Sequence, residues 1–231
     1  MNFIGQKNQD EWVIKHVFNY KRGGFFVDLA AGDGKTISNT YLLETELNWS
    51  GVCIEPHPRF IGDLKRNRQC TIVDKCVDYK VHTIEFRTDN GMGSGVIADD
   101  TDNNERIRAS AIQTARQNYC VRKMETITLE QILEQSNAPK IIDYLSFDVE
   151  GCETRIMRNF PFDKYTFLSM TVERPTVELN EKLFNNGYVF VRNSDSMPNK
   201  YAYDSFYVHE SISNLASIEK MPFSQIAPKD W

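Results

Sequence analysis

The chain has 231 residues, 41% of them hydrophobic and 26% charged, with a formal net charge of −5 at pH 7. That length and balance suit one large soluble globular domain, or a domain carrying an insertion, and exclude a low-complexity or fibrous protein. The acidic excess weighs against nucleic acid as a partner, because phosphate-backbone binders present a basic face. The 5 cysteines form no CxxC pair and the 4 histidines are scattered, which leaves no zinc framework and points to reduced thiols. The sequence holds no signal-peptide core and no apolar run long enough for a bilayer, so a cytoplasmic location without a membrane segment is expected.

In chain order, residues 7–20 carry Trp12, Val13, Val17 and Phe18 at helical spacing, and Gly23-Gly24 ends that helix. Residues 25–31 read as a strand, 35–47 as a helix starting near Thr36, and 51–55 as a second strand. Pro58 then opens a third helix to about Asn67, and a strand follows at 70–77. Such alternation predicts a parallel sheet with helices on both faces. The pattern breaks at 82–87, which alternates as a strand, and in a polar stretch to about Arg108. That stretch holds Gly91, Gly93 and Gly95 with Asp99, Asp100 and Asp102. A long Gly/Asp-rich segment suits either a functional lid or a surface excursion. A lid or substrate insertion is therefore expected around 82–120, within a single domain spanning 1–231. Helix 128–135, strand 140–147, helix 151–159, strand 166–172 and helix 176–186 restore the alternation, with Gly187 at a C′ position. Two last strands, 188–192 and 202–208, suit an antiparallel hairpin, and residues 211–231 are amphipathic.

The stretch Phe25-Phe26-Val27-Asp28-Leu29-Ala30-Ala31-Gly32-Asp33-Gly34 runs a strand through an acidic residue into a glycine bend. Glu55 ends the next strand about twenty residues later, the order that nucleoside-containing cofactors require. The bend admits backbone close to the ligand. Glu55 can take both ribose hydroxyls, with Pro56 stiffening the exit. A nicotinamide loop would need GxGxxG, and Ala30 and Lys35 stand where glycines belong. Asp28, just before the bend, suits instead the charged amino-acid end of S-adenosylmethionine (SAM). The plainer alternatives are a tight turn around a buried Asp28 and a helix-capping Glu55. Asp74 and Cys76, after the third strand, stand where an adenine ring would be edged.

Asp148 and Glu173 each end an apolar strand, and the carboxyl ends of parallel strands line the ligand crevice. Together they can deprotonate an acceptor hydroxyl, or hold a divalent cation such as Mg²⁺ or Mn²⁺ that lowers its pKa. Glu150 and Glu153 more simply open the next helix. His57 and His209 are candidates to reach the crevice, although a lone histidine is more often structural. Tyr201, Tyr203 and Tyr207 either stack on a sugar or are ordinary strand aromatics.

Read together, several segments resemble the FkbM-type methyltransferases, a family of SAM-dependent O-methyltransferases. The matching residues are Gln9-Asp10-Glu11-Trp12-Val13, the run from Gly24 to Gly34, Ser38-Asn39-Thr40, Trp49 to Pro56, and Ile142 to Glu153. The resemblance implies a Rossmann-like class I methyltransferase fold: a mostly parallel seven-stranded sheet, an antiparallel terminal hairpin and helices on both faces. It places SAM against Asp28, Ala30, Gly32, Asp33, Gly34, Asn39 and Asp148, with Glu55, Pro56, Asp74 and Cys76, and implies methyl transfer to a hydroxyl of a sugar, glycan or other small acceptor. Ala30-Ala31 departs from the Gly-Ala common in the family. Two other readings stay open, a nicotinamide-dependent oxidoreductase and a non-catalytic SAM- or nucleotide-binding module.

Overall fold

A computed structural model of the chain describes residues 1–104, 120–194 and 204–223. Its centre is a seven-stranded sheet whose inner strands are apolar on both faces. The strands are β1 (Phe25–Leu29), β2 (Ser50–Ile54), β3 (Thr71–Val73), β8 (Ile141–Phe147), β9 (Thr166–Glu173), β10 (Tyr188–Asn193) and β11 (Asp204–His209). They lie in the order β10-β11-β9-β8-β1-β2-β3. All neighbours are parallel except β11, which runs antiparallel to both β9 and β10.

Side chains alternate between two cores, as the two-residue period of a strand dictates. Phe26, Cys53 and Tyr144 face helices α1 (Gln9–Glu11, running on as π-helical Trp12–Val17), α2 (Tyr41–Thr45) and α3 (Pro58–Asn67). Val27, Val52 and Leu145 face α4 (Leu129–Gln135), α5 (Glu153–Met157) and α6 (Val177–Asn185). Each large side chain so buried contributes about 1.5–3 kcal/mol.

The helix starts follow the local chemistry. Pro58 occupies the first turn of α3, with His57 Nδ1 accepting from Arg59 N as its cap. Thr128 and Gln131 form a capping box on α4. The expected helix over 35–47 is helical only from Tyr41 to Thr45. Residues 35–40 form a loop instead, because Asp33 captures the amides of Lys35 and Thr36 and Ile37 adopts φ +50°.

A second sheet, ordered β4-β7-β5-β6, holds β4 (Cys76–Val77), β5 (Thr83–Arg87), β6 (Val96–Ile97) and β7 (Val121–Ile127). The expected strand at 70–77 is thus two strands in two sheets. The expected insertion contributes β5, β6 and the loop between them; its residues 105–119 lie outside the described residues. No helix among the described residues is long and apolar enough to cross a membrane.

Candidate active site

The chain runs outward from β1 through β2 to β3, then returns to lay β8 on the other flank of β1. That reversal opens a crevice above the strand tips. A cavity of about 330 Å³ fills it, reaching from the β1 and β2 tips at one end to the β8 and β9 tips at the other.

The first end is built by the glycine bend. Ala31 N donates to Ile54 O (3.1 Å), Gly34 N to Ala31 O (2.9 Å) and Gly32 N to Glu55 Oε2 (2.8 Å). Gly32 takes φ +57°, a conformation that glycine adopts freely, and Ala30 takes φ +62° at a steric cost. Glu55 is only 4% exposed, and its Oε1 also accepts from His57 N at 2.7 Å. Burial pushes its carboxyl up to about 7, against the pull of those two amides. Asp28 accepts a 2.6 Å bond from Thr40 Oγ1; burial raises its pKa, and Arg68 opposes the rise. Asn39 donates to Ser146 Oγ at 3.0 Å, while its own buried Oδ1 has no partner. Phe60, Cys76 and Val77 supply an apolar wall.

The second end is acidic. Asp148, Glu150 and Glu173 line it. Asp148 and Glu173 are hydrogen-bonded to each other, and burial, then the charge of Asp148, raises the Glu173 carboxyl well above its ordinary value. Burial, then the carboxylate of Asp204, pushes Asp148 up to about 7. Asp204 starts β11 directly opposite Glu173 and is held by Gln9 Nε2. Arg174 Nη2 lies 2.7 Å from Glu173 Oε2 and 3.5 Å from Glu150 Oε2, and also binds Asp102. Glu153, expected simply to open α5, is 3% exposed and accepts from Val149 N at 2.9 Å.

Of the residues expected at the site, Asp28, Ala30, Gly32, Asn39, Glu55, Pro56, Cys76, Asp148 and Glu173 line the one cavity. Asp33 and Gly34 stand behind it: Asp33 is spent on Lys35 and Thr36, and Gly34 packs on Leu64 and Arg68. Asp74 faces a separate groove beside Pro58 and Arg122, because the turn between β3 and β4 points it away. His57 lines the cavity with both ring nitrogens engaged, Nδ1 as cap of α3 and Nε2 on Thr88 O at 3.0 Å. His209 sits at the opposite edge of the sheet, beside Asn186 O and Ser211, because β11 is antiparallel. Tyr207 is buried and bonds Asn180 Oδ1, so it cannot stack on a ligand. Tyr201 and Tyr203 lie outside the described residues.

The expected cation pair belongs to a larger group of acids. Asp148, Glu153 and Glu173 bring ligand oxygens within 4.8 Å of one another, as do Asp102, Glu150 and Glu173. Arg174 already stands among the second set. The sequence reading gave no role to Ser146, Gln6, Met92 or Arg174, although Ser146 lies in the run from Ile142 to Glu153 and Met92 in the expected insertion.

The sheet order, the antiparallel β11 and the crevice over β1 and β2 define a Rossmann-like class I methyltransferase. The sequence matches the Methyltransferase FkbM domain over residues 28–195, and the chain belongs to that family of SAM-dependent methyltransferases. No curated protein matches the sequence. Among solved structures the chain is similar to the precorrin-6y C5,15-methyltransferase of Geobacter metallireducens GS-15, at 9% identity over 86% of each chain with a TM-score of 0.45. It is also similar to M. capricolum TrmK in complex with S-adenosyl-homocysteine, at 9% identity over 91% of this chain and 70% of that one, TM-score 0.47. A third likeness is Aeropyrum pernix fibrillarin with natively bound SAM, at 12% identity over 89% and 75%, TM-score 0.42. Likenesses this distant bear on the chain trace alone.

Proposed function

We propose that the protein transfers a methyl group from SAM to a hydroxyl of a small acceptor, most simply a sugar or glycan, with Asp148 as the base. The residues at the β1–β2 end fit the cofactor. The unpartnered Oδ1 of Asn39 and the carboxylate of Asp28 suit its ammonium, and Glu55 retains a lone pair on each oxygen for the ribose hydroxyls. Bound there, SAM supplies an electrophilic methyl on a sulfonium.

The observation that carries the reading is the position and state of Asp148. It stands at the end of the cavity away from Glu55, beside the cofactor wall formed by Ser146 and Asn39, with its pKa raised to about 7. An alcohol is a poor nucleophile while it keeps its proton, whereas a neutral amine needs no base, so a poised carboxylate favours an oxygen acceptor. The hydroxyl proton passes to Asp148 as an oxygen lone pair forms the O–C bond. SAM held by Asn39, Asp28 and Glu55 would supply the methyl and leave as the thioether S-adenosylhomocysteine, its sulfur keeping the C–S electron pair. Four other acids face Asp148: Glu173, Glu150, Glu153 and Asp204. Most of the remaining rate comes from alignment of oxygen, carbon and sulfur.

A divalent cation is not required in this reading. Arg174 already stands against Asp102, Glu150 and Glu173 in the acid cluster. Turnover is expected to persist in excess chelator; loss that Mg²⁺ restores would return the ion to the site.

The decisive experiment incubates the protein with labelled SAM and a panel of neutral, amino and deoxy sugars, then locates the methyl in the product. Methyl on oxygen that disappears in Asp148→Asn, with SAM binding kept within a few-fold, is the expected result. Methyl on nitrogen or carbon, or full turnover in Asp148→Asn, refutes the assignment.

A further inference from the structure

The cavity wall between Gly32 and Asn39 has no helix to hold it. Thr36, Ile37, Ser38 and Asn39 all line the cavity, yet regular structure resumes only at Tyr41. A loop of this kind places its side chains reproducibly only when its backbone polar groups find fixed partners. Here Asp33 and Ser38 take up amides within the loop, and Arg68 takes the carbonyls at its two ends.

Arg68, at the end of α3, is 2% exposed and reaches back under the loop. Nη1 donates to Gly34 O (3.1 Å) and Ser38 Oγ (3.4 Å). Nη2 donates to Thr40 Oγ1 (3.0 Å) and Thr40 O (3.5 Å), and Nε binds Glu44 on α2. The guanidinium lies over the Phe26 ring, 5.1 Å from its centroid. Thr40 in turn hands its own hydroxyl proton to Asp28. A planar fork of five donors can hold this many acceptors at once, and a lysine ammonium cannot.

Gly34 gains a different meaning from this contact. It does not line the cavity, and a Cβ there would come within 2.7 Å of Arg68 Cγ and 2.5 Å of Leu64 Cδ1. The second glycine of the bend makes room for the arginine stem, not for a ligand.

We propose that Arg68 is the positioning residue for cofactor capture: it pins the loop from Gly34 to Thr40 against the sheet and orients Asp28 through Thr40. The proposal rests on the reading that this end of the cavity takes SAM, and the tests below separate the two ideas.

Arg68→Ala is expected to weaken S-adenosylhomocysteine binding by roughly ten- to hundredfold in calorimetry. Methylguanidinium added at millimolar concentration should recover part of that loss by filling the vacated space. Arg68→Lys, which keeps the charge without the fork, should stay weak. Thr40→Val, nearly isosteric, should lose affinity by several-fold and serves as the second variant should Arg68→Ala fail to fold. Amide hydrogen exchange, measured with no ligand present, should rise across residues 34–40 in Arg68→Ala while β1 and β8 stay protected.

Unchanged affinity in both Arg68→Ala and Thr40→Val overturns the proposal. So does full function in Arg68→Lys, or unaltered exchange across the loop. Failure of the wild-type protein to bind S-adenosylhomocysteine would remove the cofactor reading while leaving the exchange result to judge Arg68.

Discussion

The two ends of the cavity are built on opposite plans. The end assigned above to the cofactor is nearly local in sequence: a strand, a bend and the tip of the next strand, joined by short bonds such as Gly32 N to Glu55. The acidic end gathers Asp148 and Glu150 after β8, Glu173 and Arg174 at the end of β9, and Asp102 beyond β6, segments far apart in sequence. One end satisfies its polar groups with amides and one arginine. The other crowds carboxyl groups so that burial and mutual repulsion raise their pKa values. The first arrangement suits tight, repeatable binding, and on the proposed reading the second keeps a base ready near neutral pH.

Substitutions at the two ends should therefore separate binding from turnover. The largest effect expected is in Asp148→Asn, which should lower kcat by about 10²–10⁴ with SAM affinity nearly intact. Glu55→Ala should do the reverse, weakening SAM binding by about 10- to 100-fold through the lost ribose bonds, as read by calorimetry. A pH series tests the state of the base: kcat/KM should rise and level off through about 7, the value to which burial pushes Asp148. A flat profile from pH 5 to 9 would break the contrast between the ends.

Stability offers a fourth test. The folded chain holds the Asp148 proton to higher pH than the unfolded chain does. Its contribution therefore declines as pH climbs from the ordinary 3.8 toward about 7. Asp148→Asn should raise Tm at pH 8 and leave it almost unchanged at pH 4. The smallest effect is at Ala30, held at φ +62°. Ala30→Gly removes a left-handed cost of about 1–2 kcal/mol, offset by about 0.5–1 kcal/mol of glycine entropy. The net gain should lift Tm by about 1–2 °C.

This division also explains what the sequence made legible. The inner strands, the bend, Asp28 and Glu55 could be read because each lies in an apolar run or a turn whose neighbours in sequence are its neighbours in space. Strand β7 escaped notice because it is largely solvent-facing and lacks an apolar alternation. The helix over 35–47 was overestimated because composition does not reveal that Asp33 and Arg68 take up the loop's polar groups. Arg174 and Asp204 carry no local mark at all. The place of Asp204 depends on β11 running antiparallel, which brings its first residue, rather than its last, to the tip of β9.

Glu55 also ties distant pieces of chain together. One carboxylate holds the amide of Gly32 and that of His57, and the same histidine caps α3 and meets Thr88 at the root of the loop over the cavity. On the proposed reading, cofactor grip and chain integrity share a single fastening. Efforts to tune affinity through this residue will carry a thermal penalty, and a library that varies it freely will be depleted by misfolding before selection on catalysis begins.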